Sequence, residues 1–135
     1  MGAPRFRLRI DFDENASLGP GKIALLEAIA ASGSLSGAAR NMKMSYRRAW
    51  LLLAEINQAF AERATLSAVG GAGGGGMDVT AFGRGLVSRF RAFERSVATL
   101  GAQRFAAIAA SVSERKTAFR AHSARPLNRT SAKQR

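Results

Sequence analysis

Four consecutive residues, Ser45, Tyr46, Arg47 and Arg48, could bind an anionic partner from the start of a helix. Serine is a favoured N-cap residue. Arginine in a first turn opposes the helix dipole, so this pair gives up a little stability. DNA would compensate, because arginine binds phosphates and can donate two hydrogen bonds to guanine O6 and N7. The alternative is a solvated helix end with incidental arginines, and we favour DNA contact.

Two candidate caps, Ser34 and Ser45, lie eleven positions apart. This spacing predicts a short helix over residues 35 to about 42, a tight turn at Lys43 and Met44, and a longer helix over residues 46 to about 60. A short helix, a tight turn and a longer helix are typical of a helix-turn-helix. The first helix is rich in small residues that let the second helix cross closely: Gly37, Ala38 and Ala39.

The segments before Ser34 have weaker patterns. Residues 5–10 alternate basic and apolar side chains, which predicts a half-buried strand. Residues 11–18 are polar and predict a turn. Residues 22–31 then carry apolar side chains at helical spacing, and Gly33 can end that helix.

Downstream, residues 65–69 and 77–80 are two short strand-like runs around a glycine-rich tip, which predicts a β-hairpin wing. Thr80 could cap a long helix with apolar residues at three- and four-residue spacing, and Gly101 is a plausible break before residues 105–112. So long an apolar face suggests a dimer partner. The predicted fold is mainly α, a winged helix-turn-helix with a small β-hairpin wing and a long C-terminal dimerisation helix.

The two aromatic residues near the candidate site differ in position. Either could stack on single-stranded nucleic acid. Trp50 lies beside Ala49 and Leu53 near the apolar face of its helix, so we favour a core or core-edge position for it. Tyr46 lies at the exposed helix start, where it is better placed to touch a phosphate or a base.

The charge balance indicates a polyanionic partner. The chain has 21 Lys and Arg against 9 Asp and Glu, a net charge of +12. A non-specific nucleoid-type DNA-binding protein would share this property and remains an alternative. We divide the chain into a folded domain over residues 1–112 and a basic, flexible tail over residues 113–135.

Other classes have little support in the sequence. There is no cysteine, no secretory signal and no apolar run of membrane-spanning length, so we expect a soluble cytoplasmic protein. The glycine run lacks the Gly-Lys-Ser/Thr of a phosphate-binding loop. His122 has no partner pattern, and Asp11, Asp13 and Glu14 are best explained as a solvated turn. We therefore expect no enzyme activity, no cofactor and no metal site.

Several strings resemble the N-terminal domain of the ModE family, the molybdenum-responsive transcriptional regulators. They are Gly19-Pro20-Gly21-Lys22, Gly33-Ser34-Leu35-Ser36 and, above all, Met44-Ser45-Tyr46-Arg47-Arg48-Ala49-Trp50. The resemblance covers residues 5 to about 110. It implies a LysR-like winged helix-turn-helix that binds a palindromic operator in double-stranded DNA as a homodimer. In the family, this domain typically represses molybdate-uptake genes when molybdate is bound.

The resemblance, together with the residue patterns, gives a set of candidate DNA contacts. They are Ser34, Ser36, Lys43, Ser45, Tyr46, Arg47, Arg48, Gly73, Gly74 and Gly75. The turn often carries glycine in the family, and Lys43 stands there instead. It would either strain a left-handed backbone or add a phosphate contact.

The C-terminal end also departs from the family. ModE proteins usually continue into molybdate-binding Mop domains, and Thr130-Ser131-Ala132-Lys133 is similar to the start of a Mop motif. We expect a regulator without its own sensor, either natural or truncated, although the match could be chance. We therefore expect operator binding without molybdate, and no molybdate binding by this chain. A small molybdate carrier and a module that pairs with a full-length regulator are further alternatives.

Overall fold

The structure is a computed structural model that describes residues 3–68 and 75–112. The described residues divide into two compact units, a larger one within Phe6–Val97 and a smaller one that contains residues 3–5 and 98–112. The described part is mainly helical, with two small antiparallel sheets, which confirms the predicted α class. Its elements are β1 (Ile10–Asp11), β2 (Ser17–Leu18), α1 (Pro20–Ser32), α2 (Leu35–Asn41), α3 (Tyr46–Ala59), β3 (Thr65–Ala68), β4 (Gly76–Val79) and α4 (Ala81–Arg104).

The ends of α1 and α2 follow the local signals in the sequence. Pro20 occupies the first turn of α1, where a missing N–H costs nothing. Gly33 ends this helix with φ of 75°, and its N–H donates to the Ile29 carbonyl at 2.8 Å. Ser34 then caps α2, because its Oγ accepts a hydrogen bond from Gly37 N. The predicted bounds of these two helices are confirmed to within two residues.

One hydrophobic cluster joins α1, α2 and α3 to β4 and to Ala64, the residue before β3. Each large aliphatic side chain buried there contributes about 1.5–3 kcal/mol. Because α2 supplies two alanines, its backbone lies close to its neighbours. The buried members are Leu25, Leu26, Ile29, Leu35, Ala38, Ala39, Ala49, Leu53, Ile56, Ala64 and Val79.

Ion pairs hold α3 and α4 against α1. Lys22 Nζ lies 3.2 Å from Glu55 Oε2 on α3. On α4, Arg91 pairs with Glu27 and, at 2.7 Å, with Glu94. Hydrogen bonds to Glu27 and then to Glu94 raise the pKa of Arg91 above its usual value. Each pair between helices joins a partly buried cation to a carboxylate that is about half exposed, so solvent screens these pairs in part.

The N-terminal prediction is only partly right. Burial alternates along residues 5–10 as expected, but only Ile10 of that run forms a strand. Its partner, β2, lies in the segment predicted as a turn, with Ile10 opposite Leu18. Leu18 is buried with Ile23 and Phe90 in a second cluster. A two-residue pairing closed by a short turn leaves too little periodicity to be recognised in the sequence.

The break or kink predicted at Gly101, before residues 105–112, lies four residues later, at Phe105. The α4 helix continues through Gly101 to Arg104, and Phe105 N donates to the Gly101 carbonyl at 2.9 Å. Glycine weakens a helix interior by about 1 kcal/mol but ends a helix only with a left-handed backbone. The turn falls at Phe105, and residues 106–112 are helical again. No helix in the described ranges is long and apolar enough to cross a membrane.

Candidate nucleic-acid interface

The start of α3 presents the predicted four-residue site to solvent. The N–H of Arg48 donates to the Ser45 Oγ at 3.1 Å, which caps the helix as predicted. Tyr46 is 57% exposed, and Ser45, Arg47 and Arg48 are exposed as well. The opposite face of α3 is buried through Ala49, Leu53 and Ile56. A helix anchored along its length therefore holds both guanidinium groups outward at its N-terminal end.

The electrostatics of this helix end favour an anion. The first turn contains no acidic residue. Within residues 3–68 and 75–112, neither Arg47 nor Arg48 forms an ion pair. Two cationic side chains thus add to the positive end of the helix dipole, and nothing in the described chain neutralises them.

The turn between α2 and α3 is tight, and Lys43 is the residue whose backbone closes it. Lys43 has φ of 55°, so the left-handed backbone expected at this residue is confirmed. Its N–H donates to the Arg40 carbonyl at 3.1 Å, and Met44 N donates to the Ala39 carbonyl at 3.0 Å. Because these bonds close the turn, the exposed Lys43 side chain is held beside the start of α3.

Two serines that were predicted to contact DNA lie at the start of α2, and they differ in their hydrogen bonds. The Ser34 Oγ accepts from Gly37 N at 3.0 Å, so its hydroxyl oxygen is already used as a cap. Ser36 is exposed, with its Oγ 3.5 Å from that of Ser34. Of the two, Ser36 is the freer to contact a ligand.

The predicted hairpin strands are paired as expected. Thr65 lies opposite Val79 and Ala68 opposite Gly76 in an antiparallel ladder. Gly75, just before β4, is exposed and has φ of 90°. The other two predicted glycine contacts, Gly73 and Gly74, lie outside the described residues.

A hydrogen-bond network that the sequence analysis missed ties α3 to β3. The Asn57 Oδ1 accepts from Ala64 N at 2.8 Å and from Thr65 N at 3.3 Å, while its Nδ2 donates to Thr65 Oγ1 at 3.1 Å. Thr80 extends the network, because its Oγ1 donates to the Arg63 carbonyl at 2.7 Å. The one available signal was a lone asparagine on the inward side of α3.

Trp50 is 53% exposed, so of the two expected positions the core is wrong and the core edge fits. It lines a cleft of about 390 Å³ between α3 and the β3–β4 ladder. Tyr46 and Arg63 line the same cleft. The side chain lies next to the apolar face but turns toward this opening.

The described residues bring no metal-binding group together: none of their His, Asp and Glu side chains form a cluster of three that could hold an ion. The acidic turn has local partners, since Asp13 Oδ1 accepts from Asn15 N at 2.7 Å and Asp11 pairs with Arg9. His122 and the segment Thr130 to Lys133 lie outside the described ranges.

The site is thus the exposed cationic end of a buried helix, beside a tight turn and an antiparallel strand pair. The chain is 38% identical over 96 residues to the molybdenum transport protein ModE of Azotobacter vinelandii, which is 70% of this chain and 36% of that protein. It is 39% identical over 71 residues to the DNA-binding transcriptional dual regulator ModE of Escherichia coli, 53% of this chain and 27% of that protein.

A third relative is the molybdenum-pterin-binding protein MopB of Rhodobacter capsulatus, 39% identical over 85 residues, which is 63% of this chain and 32% of that protein. No protein-family model matches the chain. The chain spans about a third of the length of the curated relatives it matches first. A relationship to the ModE proteins is therefore supported. The expected lack of molybdate binding gains no support from relatives with these names and stays a prediction.

Proposed function

We propose that this chain is a sequence-specific, double-stranded DNA-binding transcriptional regulator of the ModE type, and not an enzyme. In this proposal α2 and α3 form the helix-turn-helix, and the β3–β4 hairpin is its wing. The observation that carries the proposal is the capped start of α3, where Arg47 and Arg48 are exposed and unpaired within the described chain. A protein without an anionic partner gains nothing from that arrangement.

The start of α3 enters the major groove, which is wide enough for one helix. Arg47 and Arg48 contact guanine edges, and Ser45 and Tyr46 contact bases or nearby phosphates. Phosphate contacts around the groove fix the register of the protein. They come from Lys43, from Ser34 and Ser36 at the start of α2, and from the wing at Gly73, Gly74 and Gly75.

The operator is a palindrome bound by a homodimer. An apolar hollow of about 320 Å³ in the larger unit supports this, because it is lined by Ile10, Leu86 and Phe90 and leaves Phe12 and Phe93 half exposed. A second copy would remove these rings from water. Two copies would then present two α3 helices to successive turns of the duplex.

The regulated genes concern molybdenum, either molybdate transport or molybdenum enzymes. The names of the relatives support this part, since they refer to molybdenum transport, transcriptional regulation and molybdenum-pterin binding.

Selection of duplexes from a random library with the full chain tests the proposal. We expect a recurring palindromic sequence, bound about 1,000-fold or more tighter than random duplex at the same salt concentration. A steep salt dependence without a recurring sequence would contradict it and identify a non-specific nucleoid-type protein.

A further inference from the structure

The cleft beside α3 shares Tyr46 with the proposed base-contacting end of that helix, and its other lining residues have no role in the proposed function. Its volume is about 390 Å³, and it runs between the outer face of α3 and the β3–β4 ladder. Tyr46, Trp50 and Gln58 form one wall, and Arg63, Ser67 and Met77 contribute to the other. All of these residues belong to the larger compact unit.

The cleft combines a positive charge from Arg63 with the apolar ring of Trp50, which suits a ligand that has both anionic and apolar groups. Among the described residues that line the cleft, Arg63 is the only charged one, and none is acidic. The Arg63 Nε donates to the Thr65 carbonyl at 3.4 Å, which fixes the direction of the guanidinium group. Among the described residues Arg63 forms no ion pair, so its charge is available to a ligand.

The position of Trp50 along α3 matches the edge of a DNA groove. Trp50 follows Tyr46 by one helical turn, about 6 Å along the helix axis. The major groove is about 8.5 Å deep. When α3 enters the groove end-first and its first turn reaches the bases, Trp50 therefore lies near the rim, where the sugar–phosphate backbone runs. The bases are stacked inside the duplex, so they do not extend to the rim where Trp50 lies.

We infer that this cleft binds the sugar–phosphate backbone of one duplex strand, with the Trp50 ring packed on a deoxyribose and Arg63 paired with a phosphate. The inference rests on the proposed function, because it needs α3 in the major groove. The cleft supplies affinity that is independent of sequence, whereas Arg47 and Arg48 supply sequence recognition.

Trp50 offers a direct measurement, because it is the only tryptophan in the chain. Binding of a fluorescein-labelled duplex is followed by anisotropy, and acrylamide quenching of Trp50 is measured with unlabelled duplex. We expect the quenching constant to fall about twofold on saturation with selected or random duplex, since packing covers one face of the ring. Binding without protection would overturn this inference and leave the proposed function intact. Absence of specific binding would overturn the proposed function.

Two variants test the contacts themselves. Arg63→Gln keeps a hydrogen-bond donor for Thr65 but removes the charge, and we expect the slope of log K against log salt to become shallower by about 0.9. Trp50→Ala should lower the affinity for the selected duplex and for random duplex by the same factor. Control variants are Arg7→Gln, at an exposed arginine before β1, and Leu66→Ala, which alternation places on the ladder face opposite Ser67.

Two results would overturn the inference. One is a loss confined to the selected duplex, which would mean that Trp50 or Arg63 recognises bases. The other is stronger protection of Trp50 by a single strand of the same sequence than by the duplex, which would indicate stacking on unpaired bases.

Discussion

The side-chain oxygen of Asn57 lies 2.8 Å from the backbone nitrogen of Ala64, so one hydrogen bond links the second half of α3 to the start of β3. Ala64 and Thr65 are buried, and Asn57 accepts from both of their N–H groups. We expect Asn57→Ala to lower the free energy of unfolding by about 1–3 kcal/mol, because two buried donors lose their acceptor. Urea denaturation followed by circular dichroism measures this loss.

Asn57→Asp is the matched comparison for that prediction. The carboxylate keeps an acceptor for both N–H groups, and the Thr65 hydroxyl can donate to its second oxygen. We expect a smaller loss than for Asn57→Ala. Equal losses would show that the acceptor is not what stabilises this junction.

Two glycines in the first turns of α4 should respond to alanine in opposite directions. A Cβ at Gly83 would collide with the Ala64 carbonyl oxygen and with Val79, whereas nothing lies within 4 Å of a Cβ at Gly85. We expect Gly83→Ala to destabilise by about 1–3 kcal/mol through this clash. Gly85→Ala should stabilise by about 0.5–1 kcal/mol, as expected in a helix interior. Thermal unfolding of both variants checks the sign, and a stabilised Gly83→Ala would contradict the close packing.

The helix caps could be predicted from the sequence, whereas the contacts of Asn57 could not. Caps are local, so Ser34, Ser45 and Thr80 identified the starts of α2, α3 and α4 from their neighbours alone. Asn57 bonds to residues seven and eight positions away, and nothing in the sequence marks that pairing. The cleft beside Trp50 was missed for a similar reason, because it depends on how the β3–β4 ladder lies against α3.

Lys43 allows backbone strain to be separated from charge. Its left-handed conformation is disfavoured for any residue with a Cβ. We expect the free energy of unfolding of Lys43→Gly to be about 1 kcal/mol larger than that of Lys43→Ala, since only glycine relieves the strain. Both variants lose the same charge, so both should weaken DNA binding equally, on selected and random duplex alike. Unequal DNA affinities would mean that the turn conformation itself shapes the interface.

The apolar hollow beside α4 predicts the oligomeric state. Phe93 lines it and is 49% exposed in the single chain. Phe93→Glu would place a charge in the apolar contact between two copies, so we expect a dimer to become a monomer in sedimentation equilibrium. Leu66→Glu replaces another exposed apolar residue, on β3, and should leave the dimer intact. A monomeric wild-type chain would refute this part of the proposal.

The central claim is that Arg47 and Arg48 recognise bases and do more than neutralise phosphates. The most direct measurement is the affinity of Arg47→Ala and Arg48→Ala for the selected duplex and for random duplex at one salt concentration, with Arg7→Ala, at an exposed arginine before β1, as the charge-matched control. We predict a loss of about 1–3 kcal/mol per variant on the selected duplex, a much smaller loss on random duplex, and little change for the control. Equal losses on both duplexes would contradict the account.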